Sequence, residues 1–237
     1  MIKIDKSILQ EFVDNIDPDN PLSSHKLIQI LSLPDNGATS AVLALNKELN
    51  QYAANTPIFC LYITIRELLP HLDYINQIAD TNHTVFATIK NNNYTHIFNI
   101  IKKYADSVDY VIIDNFARFV LHKKPTVIKN IAATLEALSM RYNDLPIYIV
   151  NQFRYDIYNK TGDLTPLYNN YLAPYSNKFT QYIVEKDENN DINMTINLTN
   201  QNDSSNLIND VIGDTRNSIR NLLSFYQRLN SYDNSIF

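Results

Sequence analysis

Five short runs in this chain are apolar at nearly every position, and a helical pattern separates each from the next. The runs are residues 27–31, 58–63, 84–87, 110–113 and 147–150. The helical patterns between them cover 40–53, 67–79, 94–105 and 126–142. A strand with one solvated face alternates apolar and polar residues, whereas one that is apolar throughout is buried on both faces. Strands of that kind joined by helices form a parallel sheet covered on both sides. The expected class is therefore α/β.

The flanks read differently. Residues 7–16 predict a short amphipathic helix with Ile8, Phe12 and Ile16 on one face, ended by Asp17-Pro-Asp-Asn-Pro21 because proline cannot continue the hydrogen-bond ladder. After Val150 comes a long segment, 151–177, rich in Tyr, Asn and Asp and without a clear period. Residues 179–185 and 192–198 alternate as strands do, and the turn-forming stretch 186–191 predicts an antiparallel hairpin on the sheet edge. A polar stretch, 199–206, leads to a last helix at 207–229 with Val211, Ile212, Ile219, Leu222, Leu223 and Tyr226 as its apolar stripe. There is no internal repeat. One domain is expected over 1–237: an N-terminal helix and linker (1–22), a core (23–198) and a helical extension (199–237).

Composition narrows the function classes. A net charge of −5 argues against a broad basic surface of the kind that coats duplex DNA. The single cysteine, Cys60, lies in an apolar run, so no disulfide forms within the chain and a reducing compartment is expected. No signal peptide and no run of about 18 apolar residues is present, so no membrane partner is expected. Heavy use of Asn, Ile, Lys and Tyr, with only 3 glycines and no tryptophan, reads as AT-rich coding of the phage or low-GC microbial kind. The expected location is the cytoplasm, that of the host if the chain is phage-encoded.

Residues 27–40, LIQILSLPDNGATS, have the layout of a strand, a phosphate-binding loop and a helix. Against G-x-x-x-x-G-K-[ST], the first glycine is Ser32, the second survives as Gly37, the lysine is Ala38 and the hydroxyl is Thr39. Such a loop needs glycines so that backbone N–H groups wrap the phosphates, and a lysine to neutralise them. Here the layout is kept and the charge is gone. Residues 108–115, VDYVIIDN, place four apolar positions before Asp114, the Walker B pattern that holds magnesium through water. Residues 145–154, LPIYIVNQFR, are a strand ending in two amides and an arginine. Arg154, Tyr155, Tyr158, Lys160, Tyr168, Tyr171, Tyr175 and Lys178 then interleave rings with cations, which suits single-stranded nucleic acid because any base stacks on a ring while cations hold phosphates. The equally open alternative is a loop folded over the sheet by its own tyrosines, the chain having 16 in all. The histidines show no ligand spacing, and Lys123-Lys124 reads as a solvated turn before Pro125.

In order and spacing these segments resemble the ATPase core of the RecA-type strand-exchange recombinases, phage versions included. The nearest local match is 149–154, IVNQFR, which resembles the strand entering that family's second DNA-binding loop. The resemblance implies a RecA-like three-layer sandwich, mainly parallel, with helices on both faces, an antiparallel strand pair on the C-terminal side and the DNA loop at 151–177. It implies a nucleotide site at Ser32, Gly37, Thr39 and Asp114, an amide at Gln152 that senses nucleotide and couples it to the DNA loop, and DNA contact by Gln152 together with the ring-and-cation series. It also exposes departures. The lysine position is Ala38, and the catalytic glutamate falls on Arg66, with only Glu67 acidic beside it. Without those groups the phosphate charge is uncompensated and no side chain activates water.

The resulting expectation is a non-catalytic RecA-like protein in DNA recombination or repair, binding single-stranded DNA, a recombinase filament, or both. It would work as a homo- or hetero-oligomer, need no cofactor and bind ATP and magnesium weakly at most. The first alternative is a structural or regulatory subunit of a RecA-like assembly without DNA binding. The second is a divergent active ATPase that recruits its cation elsewhere, from Arg66 or a neighbouring subunit.

Overall fold

The computed structural model describes residues 1–17, 27–53, 56–65, 67–90, 93–155, 164–176 and 180–198. The chain divides into two units, Met1–Leu198 and Thr199–Phe237. The first is an α/β unit whose elements run β1 (Ile2–Ile4), α1 (Lys6–Ile16), β2 (Leu27–Ser32), α2 (Ala38–Ala53), β3 (Cys60–Thr64), α3 (Leu72–Ile78), β4 (Thr84–Thr88), α4 (Tyr94–Tyr104), β5 (Tyr110–Ile113), α5 (Phe116–Phe119), α6 (Pro125–Arg141), β6 (Ile147–Tyr155), β7 (Leu164–Pro166), α7 (Asn169–Leu172), β8 (Thr180–Lys186) and β9 (Ile192–Leu198). The last helix expected at 207–229 lies outside the described residues.

The nine strands among the described residues form one sheet in the order β1-β9-β8-β2-β6-β5-β3-β4, with β7 paired to β6. Every pairing is parallel except β8 with β9 and β6 with β7. The five apolar runs are all strands of its interior or its β4 end. Alternate residues of each strand feed two cores. On β5, Tyr110 and Ile112 join the cluster under α1, α2 and α3, while Val111 and Ile113 join the cluster under α4, α5, α6 and α7. The same division on β6 sends Tyr148 and Val150 one way and Ile147 and Ile149 the other.

Tyrosine supplies much of the first core. Tyr62, Tyr110, Tyr148 and Tyr182 are all fully buried there. Phe12 of α1 stacks on Tyr148 with ring centroids 4.2 Å apart, lies 4.8 Å from Tyr182 and meets Tyr110 edge-on at 6.2 Å. The apolar face read at Ile8 and Phe12 is therefore the face that docks α1 on the sheet, and Asp5 caps the helix by accepting from the Ser7 N–H at 2.7 Å. Cys60 is buried on the same side, and burial pushes its thiol up to about 12, so it stays protonated.

Three expectations need correction. The β8–β9 hairpin does not form the sheet edge: β8 pairs with β2 inside the sheet, and β1 takes the place beyond β9. Consecutive buried residues Tyr182, Ile183 and Val184 account for this, since a strand buried on both faces has cover above and below. The helix at 67–79 is shortened to Leu72–Ile78 behind a 3-10 turn, Leu69–His71, because Pro70 lacks the N–H that an α-helix interior needs. The segment after Val150 is not aperiodic throughout: β6 continues to Tyr155, and β7 and α7 follow. No helix among the described residues is long and apolar enough to cross a membrane.

Candidate functional site

The loop from β2 to α2 is shaped by two backbone conformations that few residues adopt. Leu33 accepts from the Asn36 N–H at 3.3 Å, closing a turn with Pro34 second and Asp35 third at φ 65°. Proline second and a positive φ third is the pattern of a type II turn. Gly37 follows at φ 83°, and a Cβ on it would lie 2.5 Å from Cδ1 of Ile192 on β9. Glycine is thus required twice over, by its backbone angle and by the close approach of β9. The helix α2 begins at the next residue, Ala38, the position where a phosphate loop carries its lysine.

Asp114, just past β5, is buried and hydrogen-bonded on both oxygens. Its Oδ2 accepts from the Thr39 hydroxyl at 3.0 Å, the Tyr62 hydroxyl at 2.7 Å and the Asn115 side-chain amide at 2.9 Å. Its Oδ1 accepts from the Asn115 N–H at 2.9 Å. Oδ2 thus takes three donors and Oδ1 one. The Thr39–Asp114 pair joins the first turn of α2 to the end of β5, as the resemblance implies; Tyr62 and Asn115 are additions that the sequence did not reveal.

Ser32, Gly37, Thr39, Asp114 and Gln152 all line one cavity of about 550 Å³. It opens at the carboxyl ends of β2, β5 and β6, the crevice where open α/β sheets bind ligands. Tyr168 also lines it. So does Arg118, which sequence reading passed over. Asn115 adopts the left-handed conformation, φ 59° and ψ 39°, and turns the chain sharply after Asp114 into the four-residue helix α5. That turn brings Arg118 onto the cavity wall, where it is the only cation among the described lining residues. A four-residue helix has no periodic signature, so only the spacing from Asp114 could have pointed to it.

Beyond the cavity, β6 leaves the main sheet and pairs antiparallel with β7, matching Phe153 with Pro166, Arg154 with Thr165 and Tyr155 with Leu164. The base of this ribbon is tied down by Asn151, whose amide donates to the Leu167 carbonyl at 2.7 Å and to Gln29 Oε1 at 3.4 Å. Gln29 in turn donates to the Ser176 hydroxyl at 3.4 Å. Arg154 is exposed on the ribbon and Tyr155 ends β6. Tyr168, Tyr171 and Tyr175 lie partly buried against the core under α6 and α7, so their rings are shared between the fold and the surface. Tyr158, Lys160, Lys178 and Arg66 lie outside the described residues. On the α4 side, the Lys123 ammonium sits 5.3 Å from the Tyr94 ring centroid, a cation–ring pair where a plain solvated turn was expected.

No protein-family model matches the chain, and no curated protein matches its sequence.

The magnesium–triphosphate that the resemblance implies does not fit these residues. Ala38 brings no charge to the phosphates, and Asp114 Oδ2 already takes three protein donors.

Proposed function

We propose that this chain is a RecA-like protein without ATPase activity that serves DNA recombination or repair by binding single-stranded DNA, a recombinase filament, or both. One observation carries the reading. The loop after β2, the carboxylate after β5 and the amide end of β6 meet at one cavity, and β6 runs on from it into the β6–β7 ribbon. In the RecA-type resemblance those places are the phosphate loop, the Walker B carboxylate and the entrance to the second DNA loop. The sheet is consistent with it: β6 separates β2 from β5, and the antiparallel pair β8–β9 follows on the other side of β2.

DNA contact is assigned to the ribbon, with Arg154 and Tyr155 at the end of β6. The test is fluorescence anisotropy of labelled single-stranded DNA at low and moderate salt, with and without magnesium–ATP. Binding that weakens with salt, ignores ATP and falls in Arg154→Ala/Tyr155→Ala supports the reading. Unchanged affinity in that double variant removes the ribbon from the DNA surface.

A second reading, a structural or regulatory subunit, is favoured by the net charge of −5. A stable hetero-oligomer with no DNA affinity selects it. ATP turnover abolished by Asp114→Ala would instead select the divergent ATPase.

A further inference from the structure

We infer that Asn36 is a site of spontaneous covalent modification, converting to aspartate and isoaspartate through a cyclic imide closed by the Gly37 nitrogen. Asparagine is among the thermolabile side chains. The Gly37 nitrogen bonds to Cγ of Asn36, the Cγ–Nδ2 bond breaks, and ammonia leaves with the proton that the Gly37 nitrogen gives up. Water then adds to either carbonyl of the imide. Opening at the side-chain carbonyl leaves an aspartate in an ordinary main chain; opening at the main-chain carbonyl routes the chain through the side chain as isoaspartate. Nothing is oxidised or reduced, and the reaction needs neither DNA nor a ligand, so it stands apart from the proposed function.

The requirements of this chemistry meet at one place in the loop between β2 and α2. The attacking nitrogen must be uncrowded, and a glycine has no Cβ to shield it. Of the 3 glycines in the chain, only Gly37 follows an asparagine. That nitrogen must also be free to lose its proton. Gly37 stands just before α2 and accepts from the Ala41 N–H at 2.9 Å, but among the described residues its own N–H donates to no acceptor. The Asn36 N–H closes the turn onto Leu33, while its side-chain amide has no hydrogen-bond partner among the described residues. Both residues lie outside helix and strand, are partly exposed and line the open cavity, so water reaches them.

Other asparagines are held back. The Asn46 amide, within α2, donates to the His83 carbonyl at 3.0 Å and the Thr84 hydroxyl at 3.1 Å. The Asn151 amide, within β6, is tied to the Leu167 carbonyl. After Asn190 the next N–H, that of Asp191, donates to the Asp187 carboxylate at 2.9 Å. Conversion of Asn36 alters the cavity wall in two ways. A new carboxylate joins Asp35 and Asp114 where Arg118 is the only cation among the described lining residues. Isoaspartate also adds a main-chain atom next to Gly37, which is already pressed close to Ile192.

The test incubates the folded full chain in mildly alkaline buffer and follows it by intact mass and peptide mapping. The peptide spanning Asn36 should gain the mass of an amide-to-acid exchange and appear as both aspartate and isoaspartate. Conversion should quicken as pH is raised, because the attacking nitrogen must lose its proton, and the product should elute from an anion exchanger as a more acidic form. Asn36→Gln should remove the gain on the same time scale, since the longer side chain must close a larger ring. Asn36 lies outside the core, so this variant should fold, and a thermal melt checks it. Sucrose strengthens the folded state, so a reaction of the native loop should keep its rate in sucrose. Conversion in the urea-unfolded chain with none in the folded chain, a rate that falls in sucrose, or a gain that persists in Asn36→Gln overturns the proposal.

Discussion

The Thr39 hydroxyl donates a 3.0 Å hydrogen bond to Oδ2 of Asp114, tying the first turn of α2 to the end of β5. Tyr62 and Asn115 also donate to it, so the carboxylate acts as a staple among β3, β5 and α2. Asp114→Asn keeps the shape but removes the charge and turns an amide toward hydroxyl donors. Hydrogen bonds to a charged group contribute about 1.5–3 kcal/mol each, so a loss of about 3 kcal/mol is expected in urea unfolding. Tyr62→Phe should cost less, because it deletes one donor and leaves the others in place. A carboxylate kept only for a metal would give the opposite result: in EDTA, Asp114→Asn would be neutral or stabilising.

Gly37 should tolerate no side chain. Gly37→Ala meets both a positive φ and the Ile192 side chain at 2.5 Å, and left-handed backbone alone costs about 1–2 kcal/mol for a residue with a Cβ. Ile192→Ala in the same chain removes the clash and leaves the backbone term, so thermal melts should show partial recovery of the loss specific to Gly37→Ala. Full recovery would mean that the backbone angle is not the constraint.

Why some of this was legible and some was not follows from what each residue competes with. Buried strands announce themselves because both faces demand apolar side chains, as in β5 (Tyr110–Ile113), whereas β9 (Ile192–Leu198) is read from its alternation; both have the bounds expected from their patterns. The three-residue β1 is too short for any period, and the extension of β6 is hidden by Asn151, Gln152 and Arg154, whose polar side chains look like a loop. Those residues remain a strand because β2, β7 and the Leu167 N–H, which donates to the Gln152 carbonyl, satisfy their backbone from a distance in sequence. At the site, Ser32, Gly37, Thr39 and Asp114 were readable from spacing, and the structure gathers them around one cavity. Tyr62 and Arg118 were not, since each reaches the cavity region or its carboxylate through an element with no motif of its own.

Phe12 anchors α1, and removing it should detach that helix before the rest unfolds. It stacks on Tyr148 at 4.2 Å and packs on Tyr182 at 4.8 Å, with no exposure to solvent. Phe→Ala at such a site costs about 3–5 kcal/mol. Phe12→Leu keeps most of the volume and should cost clearly less. Hydrogen exchange should show the α1 amides losing protection ahead of those in β5 and β6; uniform loss across the sheet would show that α1 is not a separable layer.

Stability should peak in mildly acid solution rather than at neutrality. Burial raises the carboxyl groups of Glu11 on α1 and Glu185 on β8 above the ordinary glutamate value of 4.5. A raised folded-state value means the folded chain holds the proton more tightly than the unfolded one. Their contribution is therefore fully present below 4.5 and is lost as pH rises through the raised values. Asp5 and Asp191 act in the other sense, the first lowered by the Ser7 N–H and the second by its bond from Lys3. Their contribution is present above the ordinary aspartate value of 3.8 and is lost as pH falls through the lowered ones. Between those limits neither loss operates, so melting temperature should be highest near the glutamate value and should decline toward neutral pH. Glu11→Gln/Glu185→Gln removes the groups responsible for that decline, and its melting temperature should be nearly flat from about pH 5 to about pH 8. A decline as steep in the double variant as in the parent would assign the pH dependence to other groups.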